Sequence, residues 1–335
     1  MPDAFLLLSY GAPALRQDLR PFLENIAAGR SIPPERMEAA IKRYERLGME
    51  TGALSPLPEE CRHLVTGLVH ELAALEPRPT VYWGNLFWEP MLADTVAEMA
   101  KDGVHEAVAF ATSAFDSPTS SGRYRDALQA ACAHVGPTAP RFRFLPSCHE
   151  EPFFLEAVAD RLFEAMAFLE LEPGFEPAMD APRTLILFTA HSLPEREAAE
   201  SPYVAQLQNA CRRVMEYMRP PDELSEEERL MLFCPDNWEL AFQSRGGHPT
   251  EPWLGPNVLQ RLETIRDEGR FTTILLVPIG FFCENMETAY DLDREAAERC
   301  DALGLRYARA RTVGASPKIL RMIRETVQRL DSQGR

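Results

Sequence analysis

No run of apolar residues in the chain approaches the ~20 needed to span a bilayer as a helix. The longest, such as residues 4–8 and 274–277, are only strand-sized, so no integral membrane segment is expected. The start Met1-Pro2-Asp3 carries no basic signal-peptide head, which makes a cytoplasmic protein the expectation. The seven cysteines (Cys61, Cys132, Cys148, Cys211, Cys234, Cys283, Cys300) are odd in number, scattered and never spaced as CxxC. That pattern argues against a disulfide frame or a zinc site and for reduced thiols. Positive charge is also scarce: 35 Lys and Arg face 51 Asp and Glu, a net charge of −16. That balance argues against a nucleic-acid backbone as partner, and an anionic small ligand would have to be held by local arginines. There is no Gly-rich phosphate loop, which weakens any reading as a nucleotide- or sugar-binding α/β protein.

What is present is a chain of 335 residues with 45% hydrophobic content, enough for a large core and, by length, two domains. Short apolar runs alternate with helical patterns, the sequence form of open parallel sheets covered by helices. Strands are expected at 4–8, 80–83, 107–112 and 141–145, with helices at 58–75 and 89–101 between them. A proline-rich stretch of weak periodicity, 170–182, marks a boundary. Beyond it, strands are expected at 184–189, 240–243, 273–277 and 305–308. Ser316-Pro317-Lys318 then opens a last helix with Ile319, Leu320, Ile323, Val327 and Leu330 at helical spacing, a packing face. The expected division is 1–170, 171–315 and a terminal helix, 316–335, packing back on the body.

Ligands of open α/β folds sit beyond the carboxyl ends of the strands. Tyr10, His191, Gln243 and Glu287 all fall in or near such positions. His191 ends the run Leu185-Ile186-Leu187-Phe188-Thr189-Ala190; a lone imidazole there is more often a structural group, and becomes a proton acceptor or a metal ligand according to what stands opposite. The segment from Phe242 to Pro256 runs from a strand end into a proline-stiffened loop, which Trp253 is expected to pin to the body, with His248 an ordinary loop residue. After the strand at 273–277, Glu287, Asp291 and Glu295 recur every fourth residue, so a helix lines three carboxylates along one face. Taken alone, that file suits a solvated acidic face as well as a track for a hard cation.

Four segments together resemble the ferrochelatase family, in family order and spacing: Leu7-Leu8-Ser9-Tyr10-Gly11-Ala12-Pro13; Thr189-Ala190-His191-Ser192-Leu193-Pro194; Phe242-Gln243-Ser244 with Pro252-Trp253-Leu254-Gly255-Pro256; and Val277-Pro278-Ile279-Gly280-Phe281 through Tyr290-Asp291. The resemblance implies the chelatase fold, two Rossmann-like domains, each a parallel sheet flanked by helices, with a porphyrin cleft between them. It implies insertion of Fe²⁺, as substrate, into a porphyrin in haem biosynthesis. His191 and Glu287 would face each other across the cleft as catalytic residues and metal ligands. Asp291 and Glu295 would form the outer relay, which also admits an auxiliary divalent metal. Tyr10 matches the tyrosine that, in the short bacterial branch, stands on the other face as an iron ligand, and this favours coproporphyrin III as the porphyrin. The porphyrin would be bound by Tyr10 at its face, and its propionates would meet Arg30, Arg43, Tyr44, Ser55 and Tyr124. The resemblance further implies no organic cofactor and a monomer, with an iron donor and a downstream haem-pathway enzyme as partners.

Several positions depart from that branch. Ala27 and Ala28 stand where a basic residue or two is common, Leu86 and Phe87 replace a polar pair, and Glu284-Asn285 replaces Asp-His. Propionate anchoring must therefore differ in part. No cysteine follows Cys300, so a [2Fe-2S] cluster in its familiar carboxyl-terminal form is not expected. Two rivals remain open at this point: protoporphyrin IX as substrate, and a porphyrin or haem carrier without turnover.

Overall fold

β1 (Ala4–Ser9) and β7 (Thr273–Val277) are buried along their whole length, the pattern of strands covered on both faces of a parallel sheet. The computed structural model, which describes residues 1–28, 33–218, 236–246 and 250–333, builds two such sheets. In the first, β2 (Thr80–Asn85), β1, β3 (Glu106–Ala111) and β4 (Arg141–Phe144) lie side by side in that order, all parallel. The second repeats the arrangement with β6 (Trp238–Gln243), β5 (Thr184–His191), β7 and β8 (Arg306–Arg309). Every strand expected from the sequence is present, and the fold class is the expected one.

Side chains divide by the two-residue period of a strand. Phe5 and Leu7 of β1, Ile186, Phe188 and Ala190 of β5, and Leu275 and Val277 of β7 enter one large cluster that joins both sheets. The alternate residues face outward under separate helical layers. Ala4, Leu6 and Leu8 pack with the helices Leu92–Lys101 and Arg123–Val135; Leu185, Leu187, Ile274 and Leu276 pack with Val258–Glu268 and Ala297–Leu303. Within the shared cluster, Phe110 of the first sheet meets Phe282 of the loop after β7 edge-on, ring centroids 5.3 Å apart.

The helix Pro152–Glu170 closes the segment expected as the first domain, yet it packs on β7, β8 and the helices Tyr203–Tyr217 and Pro317–Gln333. The terminal helix also lies along Leu57–Glu71, so it touches both halves. Among the described residues, no helix is long and apolar enough to cross a membrane.

The first strand of each sheet is central, with its sequence neighbour on one side and the third strand on the other. The connections leave in opposite directions there, and a crevice opens at the carboxyl end of that strand. β1 delivers Ser9 and Tyr10 to one such point; β5 extends to His191 itself and delivers it to the other.

Candidate active site

Between the strand ends lies a cavity of about 550 Å³, lined from the first half by Ser9, Tyr10, Tyr44, Ser55 and Tyr124 and from the second by His191, Ser244, Trp253 and Glu287. Its size is that of a site for one sizeable organic molecule. Of the residues expected there, Arg43, Asp291 and Glu295 do not line it, and Arg30, with His248 and Cys234, lies outside the described residues.

His191 Nδ1–H donates to Glu287 Oε2 at 2.9 Å, joining the end of β5 to the helix after β7. The two side chains are 38% and 37% exposed, so the pair faces the cavity rather than the core. Burial pulls the imidazole towards its neutral form, but the charge and hydrogen bond of Glu287 outweigh that and raise its pKa above 6.5. Burial likewise pushes Glu287 up, and the charge and hydrogen bond of His191 outweigh it, bringing the carboxyl below its ordinary 4.5. The positive charge of Arg123 also reaches His191 and works against its protonation. Backbone contacts fix the pair: Tyr203 Oη donates to the His191 carbonyl at 3.1 Å and Gln243 Nε2 to the Glu287 carbonyl at 3.3 Å.

The two departures just before Glu287 have structural work. Asn285 Oδ1 accepts from the amides of Glu287 (2.8 Å) and Thr288 (3.2 Å), capping the helical turn that carries Glu287. Glu284, only 12% exposed, turns away to Arg309 (2.9 Å) and the Thr312 amide (2.8 Å). The stretch Thr288–Ala296 is π-helical, a rare geometry that concentrates at functional sites.

The carboxylate file is occupied by protein groups beyond Glu287. Asp291, 8% exposed, is bound by the Arg43 guanidinium and by Ser244 Oγ. Arg43, expected at a propionate, also comes within 3.8 Å of Glu295 and lies over the Tyr290 ring at 4.5 Å. Burial raises Asp291 to a pKa of about 6 against the pull of Arg43. Ser244 reaches Asp291 from a backbone at φ 60°, a left-handed conformation that serine seldom adopts and that surrounding contacts must hold. Among the described residues, no three His, Cys, Asp or Glu side chains stand close enough together to hold a metal ion.

Opposite, the Tyr10 ring lies against Phe87 (centroids 4.6 Å) and Tyr44 meets Phe22 edge-on at 6.1 Å. Burial drives the phenols of Tyr44 and Tyr124 well above their ordinary pKa, so both face the cavity as neutral donors. Ser55 Oγ accepts from the Leu57 amide at 3.3 Å just before the helix Leu57–Glu71, as it lines the cavity. Beneath this wall, Cys61 Sγ–H donates to Ser9 Oγ at 3.1 Å.

Sequence reasoning missed the loop after β3, whose Ser113, Ser117, Thr119, Ser120 and Arg123 line the cavity. The strand-end rule applied to β3 points there. It also gave Trp253 only a pinning role. The pinning is done by backbone: Leu254 N–H donates to the Leu193 carbonyl at 2.9 Å and Glu195 N–H to the Pro252 carbonyl at 3.0 Å, while the Trp253 ring lines the cavity.

Comparison with known proteins bears on this arrangement. Residues 2–330 match the family model described as Ferrochelatase. The ferrochelatase of Rhodopirellula baltica is 35% identical over 326 residues, 97% of this chain and 85% of that protein. The coproporphyrin III ferrochelatase of Frankia alni is 39% identical over 329 residues, covering 97% and 79%. Among solved structures, SirB from Bacillus subtilis with Fe³⁺ matches with a TM-score of 0.52 at 12% identity, over 100% of this chain and 98% of SirB. CbiX, the terminal enzyme for biosynthesis of siroheme in denitrifying bacteria, matches at 0.51 and 14%, covering 97% and 98%. At such identities these two structures bear on the fold alone.

Proposed function

The chain belongs to the ferrochelatase family, and on that premise we propose that it inserts Fe²⁺ into coproporphyrin III to give coproheme. The observation that carries the reading is the His191–Glu287 pair, open to a cavity of about 550 Å³ between two sheet ends. A carrier has no need of a base held against a carboxylate.

Metallation must remove two N–H protons from a flat macrocycle as the metal arrives. The charge and hydrogen bond of Glu287 favour the protonated form of His191, and only the neutral imidazole accepts a proton. Fe²⁺ approaching the Glu287 carboxylate competes for that charge. The hold on the His191 proton weakens and that proton passes to solvent; the neutral imidazole then takes one pyrrole proton, releases it to solvent and takes the second, so that two protons leave as Fe²⁺ enters. Asp291 and Glu295 form the route to Glu287, and passage requires Arg43 to yield its place on Asp291. Tyr10, which lines the cavity from the first half, would supply the ligand from the other face of the ring.

One observation favours protoporphyrin IX instead. Ile26 and Leu86 make part of the lining apolar, which suits a ring with fewer carboxylates. Competing the two porphyrins at equal concentration and comparing kcat/KM decides. A higher value for coproporphyrin III is expected; a higher value for protoporphyrin IX overturns the substrate and leaves the reaction standing.

A further inference from the structure

The cavity walls differ in charge. On the second-half side the acidic groups are Glu197, Glu251 and Glu287, and one oxygen of Glu197 is buried without a hydrogen-bond partner. Among the described residues lining the cavity, Arg123 is the single lysine or arginine. In a chain of net charge −16 an arginine ordinarily finds a carboxylate. Arg123 forms no ion pair among the described residues; its guanidinium lies 5.9 Å from the centre of the Phe87 ring instead. The ring is in turn fixed, since Phe87 N–H donates to the Tyr10 carbonyl at 3.1 Å and Asn25 Nδ2 donates to the Phe87 carbonyl at 3.1 Å.

Around Arg123 the loop after β3 supplies hydroxyls from Ser113, Ser117, Thr119 and Ser120. Ser117 caps the turn Pro118–Gly122, accepting from the Ser120 amide at 3.1 Å, so that Arg123 begins the next helix in a fixed place. A single cation without a carboxylate, backed by an aromatic face and rooted in a polar turn whose serines bond one another and the Phe115 carbonyl, is the chemistry of a carboxylate receptor.

We propose that Arg123, backed by Phe87 and placed by the Ser117–Ser120 turn, anchors a carboxylate of the bound porphyrin and so sets which edge of the ring faces the first-half wall. The assignment rests on the porphyrin reading given above and adds a binding residue to it. It also accounts for two departures at once. The basic residues missing at Ala27 and Ala28 are replaced by an arginine from another segment of the same half, and Phe87, where a polar residue was expected, serves by supporting the arginine.

Binding without iron tests this, using porphyrin absorbance or fluorescence titration of the full chain. Arg123→Gln should weaken coproporphyrin III roughly 10- to 100-fold, the loss expected for one charge-assisted pair. It should leave a porphyrin diester that carries no free carboxylate unchanged, and Arg123→Lys should recover part of the loss. Phe87→Leu should weaken coproporphyrin III in the same direction by a smaller factor. Equal losses for the acid and the diester, or no loss for either, would overturn the anchor, and if Arg123→Gln did not fold, the Lys and Phe87→Leu variants would decide by the same criterion. The parent reading fails separately. If wild type prefers protoporphyrin IX while Arg123→Gln still weakens both acids, coproporphyrin III falls and the anchor stands; if wild type binds no porphyrin, both fall.

Discussion

Gly280 lies so close to Ala190 that a Cβ built on it would fall 2.5 Å from the Ala190 Cβ and 2.6 Å from its Cα. Gly280 N–H also donates to the Thr189 carbonyl at 3.0 Å. The backbone leading to Glu287 is thus laid directly on the strand end that carries His191, and this approach is what lets their side chains meet.

Gly280→Ala should therefore cost about 1–3 kcal/mol of stability, the range for overpacking against parts that cannot give way. Activity should fall further than stability accounts for, since the two halves of the pair are pushed apart. Chemical denaturation beside kcat at a temperature where the variant stays folded measures both; a variant with wild-type stability and kcat would remove this role.

His191→Ala should reduce kcat for metal insertion by roughly 10²- to 10⁴-fold, the usual worth of a positioned acid–base group. Coproporphyrin III should still bind, because the proposed role of His191 is at the reacting centre and not at the ring edge. Stopped-flow metallation with a binding titration separates the two effects. Near-normal insertion by His191→Ala would mean that another group takes the pyrrole protons.

The pair also fixes a pH dependence. His191 holds its proton more tightly in the folded chain, so its contribution to stability is full below pH 6.5 and is lost as pH rises through the higher folded value. Glu287 behaves oppositely, contributing above pH 4.5 and losing that contribution as pH falls through its lowered value. For catalysis, kcat/KM should climb as pH passes a point above 6.5, where the imidazole becomes free. In Glu287→Gln, with the holding charge gone, NMR titration should find His191 at lower pH than in wild type. An unchanged titration would show that Glu287 does not set the proton affinity of its partner.

Arg309 and Glu284, 11% and 12% exposed, form a buried ion pair behind the Glu287 turn. Arg309→Met leaves the Glu284 carboxylate without its main counter-charge, which should cost about 3–5 kcal/mol. Adding Glu284→Gln should recover much of that loss. Thermal melts of the single and double variants measure it, and strict additivity would argue against coupling.

The sequence disclosed much of this because parallel strands buried on both faces appear as short unbroken apolar runs, as in Leu6 to Leu8 and Ile274 to Val277. It disclosed His191 because that residue closes such a run. Spacing could place Glu287, Asp291 and Glu295 on one helix but not say what would face them. Arg43 comes from 248 residues away to occupy Asp291, a contact no local pattern encodes. Arg123 escaped for a different reason: the loop before it has no periodicity, and its importance comes from what the cavity lacks elsewhere. The work of Glu284 and Asn285 was hidden in the same way, since their partners Arg309, Thr312 and the Glu287 amide are defined only by the folded turn.

One hydrophobic cluster runs from β1 through Phe110 and Phe282 into β5 and β7. Two bodies joined by so much shared oil cannot swing apart like jaws around a hinge. A flat guest must come and go by shifting the rim, while the floor stays rigid. Heating should then melt both halves in one calorimetric step, with neither surviving the other.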